Sequence, residues 1–507
     1  MRAARAAVGV AKATPLNQGS LRVLIVDLNN FSTFPTLAVG LLVASLRNTG
    51  FEVKLVSPLA HDVPATERER PETWLDHVAR RAFLSTWAPL RLSRDLTRRA
   101  YHLATSWPHP GVIKAAREAL RDKPDILLLS AYLQHQPTAF EIGKLAKAAG
   151  VPLLIGGPMF NIEETNAAWR GIPGLSALVG AEVDITLPAI VRAVVAGDDL
   201  MQFDGVVLPD GQRSRAAPPL RPLDDAPLPD FSDFPWDRYR VRIIPMMTGR
   251  GCQWARCTFC SDVISVNGRS YRSRSLESVL HEMREQSRRH GARNFLFLDL
   301  KLNSNPSLFR GITENIQRQV PGAQWIGTVH VDRRKDNGLS RGELRAAAGA
   351  GMRRVSFGLE SGSQRVLDSM DKGSDVERNS EFIRHAFEAG MSVRATLFWG
   401  FPGETAKDLD QTADFLERHG QYLDRIRYNQ FVIQTGTPVE LAIRQTPENF
   451  PDIRVSYDDD RYARVRYVNT AAEDRLYRNA KNRVQKAIFE INRRQIRSSA
   501  REFDGLM

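Results

Sequence analysis

Residues 249–262 read GRGCQWARCTFCSD and hold all three cysteines of this 507-residue chain, Cys252, Cys257 and Cys260. Their C-x4-C-x2-C spacing falls on a predicted loop between a strand and a helix, and such a loop can direct three thiolates towards one centre. Three clustered thiols do not form a disulfide framework, because their number is odd and a chain of this length does not need such crosslinks. The motif therefore indicates a metal centre, and reduced thiols lead us to expect a cytosolic protein.

Two kinds of metal centre fit three cysteines. Structural zinc is normally held by four ligands, so a zinc ion would need a distant fourth ligand, and His281 and His330 are available. An iron–sulfur cluster held by three cysteines leaves one iron open to a small ligand, which is a catalytic arrangement. We favour the cluster, with zinc and a chance grouping of buried thiols as the alternatives.

The overall composition is that of a globular protein with several domains. The chain is 42% hydrophobic and 25% charged, which is ordinary for such proteins. No window contains the roughly 20 apolar residues of a membrane span. The net charge is +12, but the basic residues are spread along the chain and are not interleaved with aromatic residues. We therefore interpret the charge as solvated surface and not as a nucleic-acid groove.

The N-terminal half alternates predicted strands and helices. Residues 1–20 are basic and free of acidic residues, and we interpret them as a disordered tail, with a transit peptide as the alternative. Residues 21–205 predict a doubly wound, Rossmann-like α/β domain, with a helical insertion at about 60–120. Residues 206–240 are rich in Pro and Asp, which predicts a linker.

The C-terminal half begins with a second run of strands and helices. The repeated βα units of residues 241–440 predict a full or partial β/α barrel. Residues 441–507 are charged, and we expect a helical C-terminal region there. The expected fold class is therefore α/β, with a doubly wound domain followed by a TIM-like barrel and a helical tail.

The cysteine motif and two later segments resemble the radical SAM enzymes. VSFGLESGSQRVLDSMDKG (355–373) and FWGFPGET (398–405) are similar to the family's fourth-strand and sixth-strand segments. The family usually has three residues between its first two cysteines, whereas this chain has four, 253–256. The resemblance implies that the three cysteines bind a [4Fe–4S] cluster and that S-adenosylmethionine (SAM) chelates its open iron.

The resemblance also implies where SAM binds. Phe259 matches the aromatic position beside the adenine. Glu360, followed by Ser361, lies at the end of the fourth strand, where a carboxylate suits the methionine ammonium group. Gly400 belongs to the segment whose backbone approaches the adenosine.

Several other polar residues are candidates to contact SAM or the substrate, and for each of them a purely structural role is the alternative. We expect Arg394 to pair with the methionine carboxylate, with an ordinary barrel salt bridge as the alternative. We expect Asp299, at the end of the second strand, to face SAM or its ribose. Candidates to face the substrate lie near the third and last strands: His330, Asp332, Tyr428, Gln430 and Gln434.

The N-terminal half resembles the cobalamin-binding domain of one large radical SAM subfamily. LLLSAYL places Ser130 at a strand end, LLIGGPMF places Gly156 and Gly157 at the next, and ALVGAEVDITLPAIV is similar to the segment that closes that domain. Ligands of open α/β sheets bind at these strand ends, although generic doubly wound turns are the alternative. The D-x-H-x-x-G box of cobalamin methyltransferases is replaced by DLNNFS. We therefore expect cobalamin to bind without a histidine ligand.

Taken together, the resemblance implies a cobalamin-dependent radical SAM methyltransferase. Such an enzyme transfers a methyl group from methylcobalamin to an unactivated carbon or phosphorus through a 5′-deoxyadenosyl radical. The alternatives are ring formation, rearrangement or oxidation without methyl transfer, methylthiolation (which normally needs a second set of three cysteines), and a non-catalytic zinc- or cobalamin-binding module. Expected partners are a small-molecule or peptide substrate and a one-electron donor such as flavodoxin or ferredoxin.

Overall fold

The computed structural model describes residues 20–28, 33–63, 69–87, 109–266 and 268–506, together with residues 89, 90, 92, 94 and 96. Most of the predicted tail, residues 29–32 of the DLNNFS loop and much of the predicted 60–120 insertion lie outside the described residues. Among the helices of the described part, none is both long and apolar enough to cross a membrane.

A six-stranded sheet forms the N-terminal domain. Its strands are β1 (Arg22–Asp27), β2 (Glu52–Val56), β3 (Ile126–Ser130), β4 (Leu153–Gly156), β5 (Leu175–Val179) and β6 (Val206–Val207), in the order β2-β1-β3-β4-β5-β6. The first five are parallel and β6 is antiparallel to β5. The helices are α1 (Leu37–Arg47), α2 (Trp74–Phe83), α3 (Pro110–Leu120), α4 (Gln136–Ala149), α5 (Glu163–Trp169) and α6 (Leu187–Ala196).

The central strands β1, β3 and β4 are largely apolar because both faces of the sheet are covered there by helices. In β1, Val23 and Ile25 belong to one buried cluster, whereas Leu24 and Val26 belong to another. This alternation follows from the two-residue period of a strand. The carboxyl ends of β1, β3 and β4 then lie side by side, since Asp27 pairs with Ser130 and Ser130 with Gly156.

The second domain is a partial barrel. After β7 (Ile243–Met246), a short antiparallel pair, β8 (Gly249–Gly251) and β9 (Tyr271–Ser273), brackets the cysteine loop. The barrel continues with β10 (Asn294–Phe297), β11 (Gln324–Val329), β12 (Met352–Glu360), β13 (Ser392–Trp399) and β14 (Arg425–Gln430), giving the parallel order β14-β13-β12-β11-β10-β7. Its helices are α7 (Leu276–His290), α8 (Pro306–Gln319), α9 (Arg341–Gly349), α10 (Gln364–Ser369), α11 (Val376–Glu388) and α12 (Ala406–His419).

The C-terminal region contains the expected helix towards its end, together with strands that the sequence did not predict. It contains β15 (Ile433–Gln434), α13 (Pro438–Gln445), β16 (Ile453–Asp459), β17 (Arg464–Asn469) and α14 (Arg475–Asn492), and the three strands form an antiparallel sheet in the order β15-β17-β16. The sequence did not predict these strands because residues 454–458 are exposed and the segment is rich in charged residues. The end of the chain packs at the amino-terminal side of β12, where Arg354 donates to the carbonyl oxygens of Ala500 and Leu506 at 3.2 Å.

Candidate functional site

The three cysteines lie on the loop that follows β8. Each is a free, partly buried thiol. The loop is fixed by backbone hydrogen bonds to two other parts of the barrel domain: Thr258 N–H donates to the Met370 carbonyl, and Val439 N–H donates to the Thr258 carbonyl, both at 2.9 Å. The sulfur atoms are therefore presented from an anchored loop at the carboxyl ends of the barrel strands.

The four residues between the first two cysteines have their own contacts. Ala255 adopts a left-handed conformation, with φ of 44°. Trp254 Nε1 donates to the Asp371 carbonyl at 2.6 Å, and Arg256 pairs with the Asp371 carboxylate at 2.9 Å. The Trp254 ring also occupies the space that a side chain at position 373 would take, since a Cβ on Gly373 would lie 2.2 Å from it. The longer spacing is thus accommodated by packing against the segment after β12.

The donor set fits a cluster better than a single ion. Burial raises the pKa of the Cys257 thiol to about 11 and that of Cys260 to about 12, so a bound metal centre is needed to hold them as thiolates. Within the described residues, no group of three or more His, Cys, Asp or Glu side chains is spaced to hold one metal ion. His330, one proposed zinc ligand, has its Nε2 3.2 Å from the Ser374 hydroxyl. A cubane cluster spreads three thiolates over three irons and does not require the tight spacing of a zinc site.

Glu360 ends β12 beside the cysteine loop. It has φ of 59° and follows an irregularity in the β12–β13 register. Its Oε1 accepts a hydrogen bond from Lys372 Nζ at 2.9 Å, and both side chains are buried. A Cβ on Gly358 would lie 2.0 Å from Glu360 Oε1 and 2.8 Å from Lys372 Nζ, so only glycine leaves room for this pair.

Lys372 was not predicted from the sequence. Burial alone would lower its pKa, but the Glu360 carboxylate and the Cys257 sulfur hold the pKa above its usual value. Its Nζ also lies 5.8 Å from the centre of the Phe259 ring. A fixed positive charge therefore sits among Glu360, the aromatic residue of the loop and two cysteines. Its only signal in the sequence is its place in the segment that follows Glu360.

Phe259 lies in an aromatic cluster at the same end of the barrel. Its ring is 5.1 Å from that of Phe398 at 72° and 6.4 Å from that of Phe431 at 80°. Gly400, two residues after Phe398, has φ of +83°, and a Cβ at this position would have no neighbouring atom nearer than 3.8 Å. Phe259 and the Gly400 segment therefore lie at the same end of the barrel, and Gly400 leaves its backbone free of close side-chain contacts.

A buried glutamate that the sequence did not point to holds the Gly400 segment. Glu404 Oε2 accepts hydrogen bonds from Gly400 N–H at 2.7 Å and from the Tyr477 hydroxyl at 2.6 Å. Burial raises the pKa of Glu404 to about 7, although these hydrogen bonds act in the opposite direction. The partner Tyr477 lies on α14, so the C-terminal region supports this end of the barrel.

Two residues assigned to SAM are engaged by the protein itself. The Asp299 carboxylate accepts hydrogen bonds from Thr248 Oγ1 at 2.6 Å and from Gly249 N–H at 2.9 Å. The Ser361 hydroxyl accepts a hydrogen bond from Ser363 N–H at 3.1 Å. We therefore propose that Asp299 and Ser361 position the strand ends, and that neither uses its side chain for SAM.

The assignment of Arg394 to the methionine carboxylate is wrong. Arg394 lies near the amino-terminal end of β13, where it pairs with Ser356 of β12, whereas Glu360 pairs with Leu397. The difference of three residues amounts to about 10 Å along the strand. The Arg394 guanidinium donates to the Leu506 carbonyl at 2.8 Å and pairs with Glu69. It therefore faces the closed end of the barrel, and the salt-bridge alternative is the correct one.

The predicted cobalamin residues lie together at the carboxyl edge of the N-terminal sheet. Ser130 and Gly156 are paired neighbours there. A Cβ on Gly156 would meet only the Val179 carbonyl, at 3.8 Å, whereas one on Gly157 would lie 2.5 Å from the Ala131 carbonyl. Gly157 is thus required by the fold, and Gly156 leaves the strand end uncovered.

A cavity of about 250 Å³ lies between this edge and the barrel domain. The loops after β3 and β4 line one side, including Ala131 and Gly157, and the residues that follow Cys260 line the other, including Asp262. The Asn161 side chain donates across the gap to the Ile264 carbonyl at 2.7 Å. Of the residues expected to face substrate, Gln434 lines this cavity.

Of the other expected substrate residues, His330, Asp332 and Tyr428 are buried in the barrel, whereas Gln430 at the end of β14 is half-buried. Asp332 accepts a hydrogen bond from Lys301, and burial lowers the pKa of Lys301. Burial lowers the pKa of His330 well below its usual value. Tyr428 is buried in β14, and its hydroxyl has no hydrogen-bond partner among the described residues. These groups form a polar barrel interior near the cysteine loop.

Comparison with known families identifies the second domain. Residues 246–416 match the Radical SAM superfamily model. The match includes the cysteine loop, the Glu360 strand end and the Gly400 segment. Residues 246–416 form a radical SAM domain. Enzymes of this family use a [4Fe–4S] cluster and SAM, and the matched residues include all three cysteines of the chain.

The chain also has relatives among proteins named as methyltransferases. It is 29% identical over 326 residues to an uncharacterized methyltransferase of Pyrococcus horikoshii, covering 62% of this chain and 68% of that protein. It is 25% identical over 354 residues to the bacteriochlorophyllide d C-12(1)-methyltransferase of Chlorobaculum tepidum, covering 68% of this chain and 70% of that protein.

A similarity to solved structures extends over both domains of the chain. The solved structure of OxsB, a cobalamin-dependent SAM radical enzyme with aqua-cobalamin and SAM bound, has a TM-score of 0.65 at 17% identity. The match covers 88% of this chain and 64% of OxsB, so the chain spans less than two thirds of that protein. At this identity the similarity shows that the two proteins share a fold.

Proposed function

We propose that the protein is a cobalamin-dependent radical SAM methyltransferase that acts on an unactivated carbon or phosphorus of a biosynthetic intermediate. The observation that carries the proposal is the cavity between the domains. The carboxyl edge of the N-terminal sheet, at Ala131 and Gly157, lines it opposite the residues that directly follow Cys260. A ligand of the first domain would therefore lie against the cluster loop of the second. The methyltransferase names of both relatives support methyl transfer.

The residues present fit the cofactors. The partly buried thiols of Cys252, Cys257 and Cys260 would hold the cluster. Glu360 would receive the ammonium group of SAM, and Phe259 and the Gly400 backbone would receive its adenosine. When bound, the cluster and SAM supply a 5′-deoxyadenosyl radical, and cobalamin supplies the methyl group.

The chain's own residues orient these groups and exclude water. Lys372 holds the Glu360 carboxylate at 2.9 Å, in a site where both side chains are buried. Glu404 holds Gly400 N–H, which fixes the backbone beside the aromatic cluster. A preformed, dry site of this kind limits side reactions of a radical.

Cobalamin would bind at the strand ends marked by Ser130 and Gly156. The position of the D-x-H-x-x-G histidine falls in residues 29–32, which hold no histidine and lie outside the described residues. We therefore propose binding without a histidine ligand from that loop. The enzyme also needs a reductant, and we propose a flavodoxin or ferredoxin in a cytosolic compartment.

The methyl-transfer outcome is tested with SAM that carries an isotopically labelled methyl group. Reconstituted protein, reductant and candidate substrates are incubated anaerobically, and products are analysed by mass spectrometry. A product in which one labelled methyl group has replaced a hydrogen atom supports the proposal. A rearranged or oxidised product that contains no label would support the alternative chemistry instead.

A further inference from the structure

The interdomain cavity contains one cationic side chain among its lining residues, Arg464 at the start of β17. Its Nε is buried and has no hydrogen-bond partner in the described part of the chain. The charged or ionisable groups around it are Arg466, Asp459 and Tyr462, and none of the described carboxylates lies within ion-pair distance. A partly buried guanidinium without an acceptor is energetically unfavourable.

Other arginines near this interface form ion pairs with carboxylates. Arg466, two residues further along the same strand, donates to Asp459 Oδ2 at 2.7 Å. Arg250 donates to both oxygens of Asp184 at 2.8 and 2.6 Å. The acid that shares the cavity with Arg464 is Asp262, whose Oδ2 lies 3.6 Å from the Cys260 sulfur. Among the described residues, Arg464 therefore differs from its neighbours in having no carboxylate within ion-pair distance.

The other lining residues supply neutral hydrogen-bonding groups, among them Tyr132, Gln434 and Tyr462. Planar guanidinium groups bind carboxylates and phosphates with two parallel hydrogen bonds. We propose that Arg464 binds an anionic oxygen group, a carboxylate, phosphate or phosphonate, of the molecule that enters this cavity. The inference rests on the proposed function only for the source of that group, which is either the substrate or the nucleotide phosphate of cobalamin.

The first arm of the test separates the two sources. Wild type, Arg464→Gln, Arg464→Lys and the matched control Arg466→Gln are reconstituted with the cluster and titrated with hydroxocobalamin or with dicyanocobinamide, which lacks the nucleotide phosphate. If Arg464 holds the cofactor phosphate, Arg464→Gln weakens binding of hydroxocobalamin about tenfold or more. Binding of dicyanocobinamide is then unchanged, and Arg464→Lys recovers part of the loss.

The second arm uses molybdate, an oxyanion similar in size to phosphate. Crystals of the cobalamin-loaded holoprotein are soaked in sodium molybdate, and molybdenum is located by anomalous scattering. If Arg464 serves the substrate, a peak lies beside Arg464 in wild type and Arg466→Gln and is absent in Arg464→Gln, while both corrins bind all variants equally.

The inference is overturned if Arg464→Gln changes neither the molybdate peak nor the difference in affinity between hydroxocobalamin and dicyanocobinamide. It is also overturned if the substitution weakens the binding of both corrins equally. It is likewise overturned if wild type gives no molybdate peak and no corrin difference. Failure of the proposed function is distinguished from these outcomes by wild type itself, which would then retain no corrin at all.

Discussion

Arg250 and Asp184 join the two domains through a bidentate ion pair, with Arg250 Nη1 and Nη2 2.8 and 2.6 Å from the two Asp184 oxygens. Arg250 precedes Cys252 by two residues, and Asp184 follows the last parallel strand of the N-terminal sheet. A second bidentate ion pair lies beside it, in which Arg272 donates to both Glu182 carboxylate oxygens at 2.6 and 2.8 Å. The N-terminal sheet is therefore fixed to both strands that bracket the cysteine loop.

Replacing Asp184 with Asn should loosen this attachment. Arg250 would lose a charged acceptor in a mostly buried site, which costs about 1–3 kcal/mol. We expect the melting temperature to fall by about 2–4 °C for each kcal/mol and corrin retention after gel filtration to decrease. Glu163→Gln is the control, because that carboxylate pairs with Arg213 while its side chain is 76% exposed. Equal melting temperatures for Asp184→Asn and wild type would contradict this role.

Gly358→Ala should displace the Glu360–Lys372 pair without disturbing the fold. The new Cβ would lie 2.0 Å from Glu360 Oε1, the end of a side chain that can move. We expect SAM to bind about tenfold or more weakly, as measured by calorimetric titration, with the iron content unchanged. Gly342→Ala on α9 is the control, because a Cβ there meets nothing within 4 Å. SAM binding at wild-type strength in Gly358→Ala would remove Glu360 from the SAM site.

Arg394→Gln should lower the stability of the protein and leave SAM binding nearly unchanged. Arg394 binds Leu506 and Glu69 at the closed end of the barrel. We therefore expect a lower melting temperature, from a loss of about 1–3 kcal/mol, and a dissociation constant for SAM within about twofold of wild type. A large loss of SAM affinity with unchanged stability would instead support the assignment of Arg394 to the methionine carboxylate.

The buried Glu404 should make stability depend on pH. Its pKa is raised from 4.5 to about 7 by burial, so the folded protein keeps a proton that the unfolded chain has lost between these values. Stability therefore falls as pH rises from about 4.5 to about 7 and is level above that range.

Glu404→Gln removes this dependence because the amide oxygen can still accept from Gly400 and Tyr477. We expect the variant to gain on wild type as pH rises, by at most about 3 kcal/mol. The measurement is the difference in melting temperature between the two proteins from pH 5.5 to 8. A difference that stays constant with pH would show that Glu404 does not titrate in this range.

The parts of the site that the sequence predicted are those encoded by local segments. The cysteine spacing, the Glu360 strand end and the Gly400 turn lie within short motifs, and the alternating strands and helices predicted both sheets. The contacts of Lys372 with Glu360 and of Glu404 with Tyr477 join residues 12 and 73 positions apart, and no local pattern carries such pairs.

Arg394 shows why a correct strand does not locate a site residue. The strand was predicted, but the end at which Arg394 lies depends on the register of β13 against β12. The β16–β17 hairpin was missed for another reason, since its exposed charged residues resemble those of a solvated helix. Arg464 lies on this hairpin, so its place in the cavity could not be inferred from the sequence.

The central claim is that one chain holds an iron–sulfur cluster and a corrin at a shared interface. Iron, sulfide and cobalt per chain, measured after anaerobic reconstitution with hydroxocobalamin and gel filtration, test it most directly. We expect one four-iron cluster and one cobalt in wild type, and loss of the cluster in Cys257→Ala. Wild type without a cluster or without cobalt, or a Cys257→Ala variant with full iron content, would contradict the account.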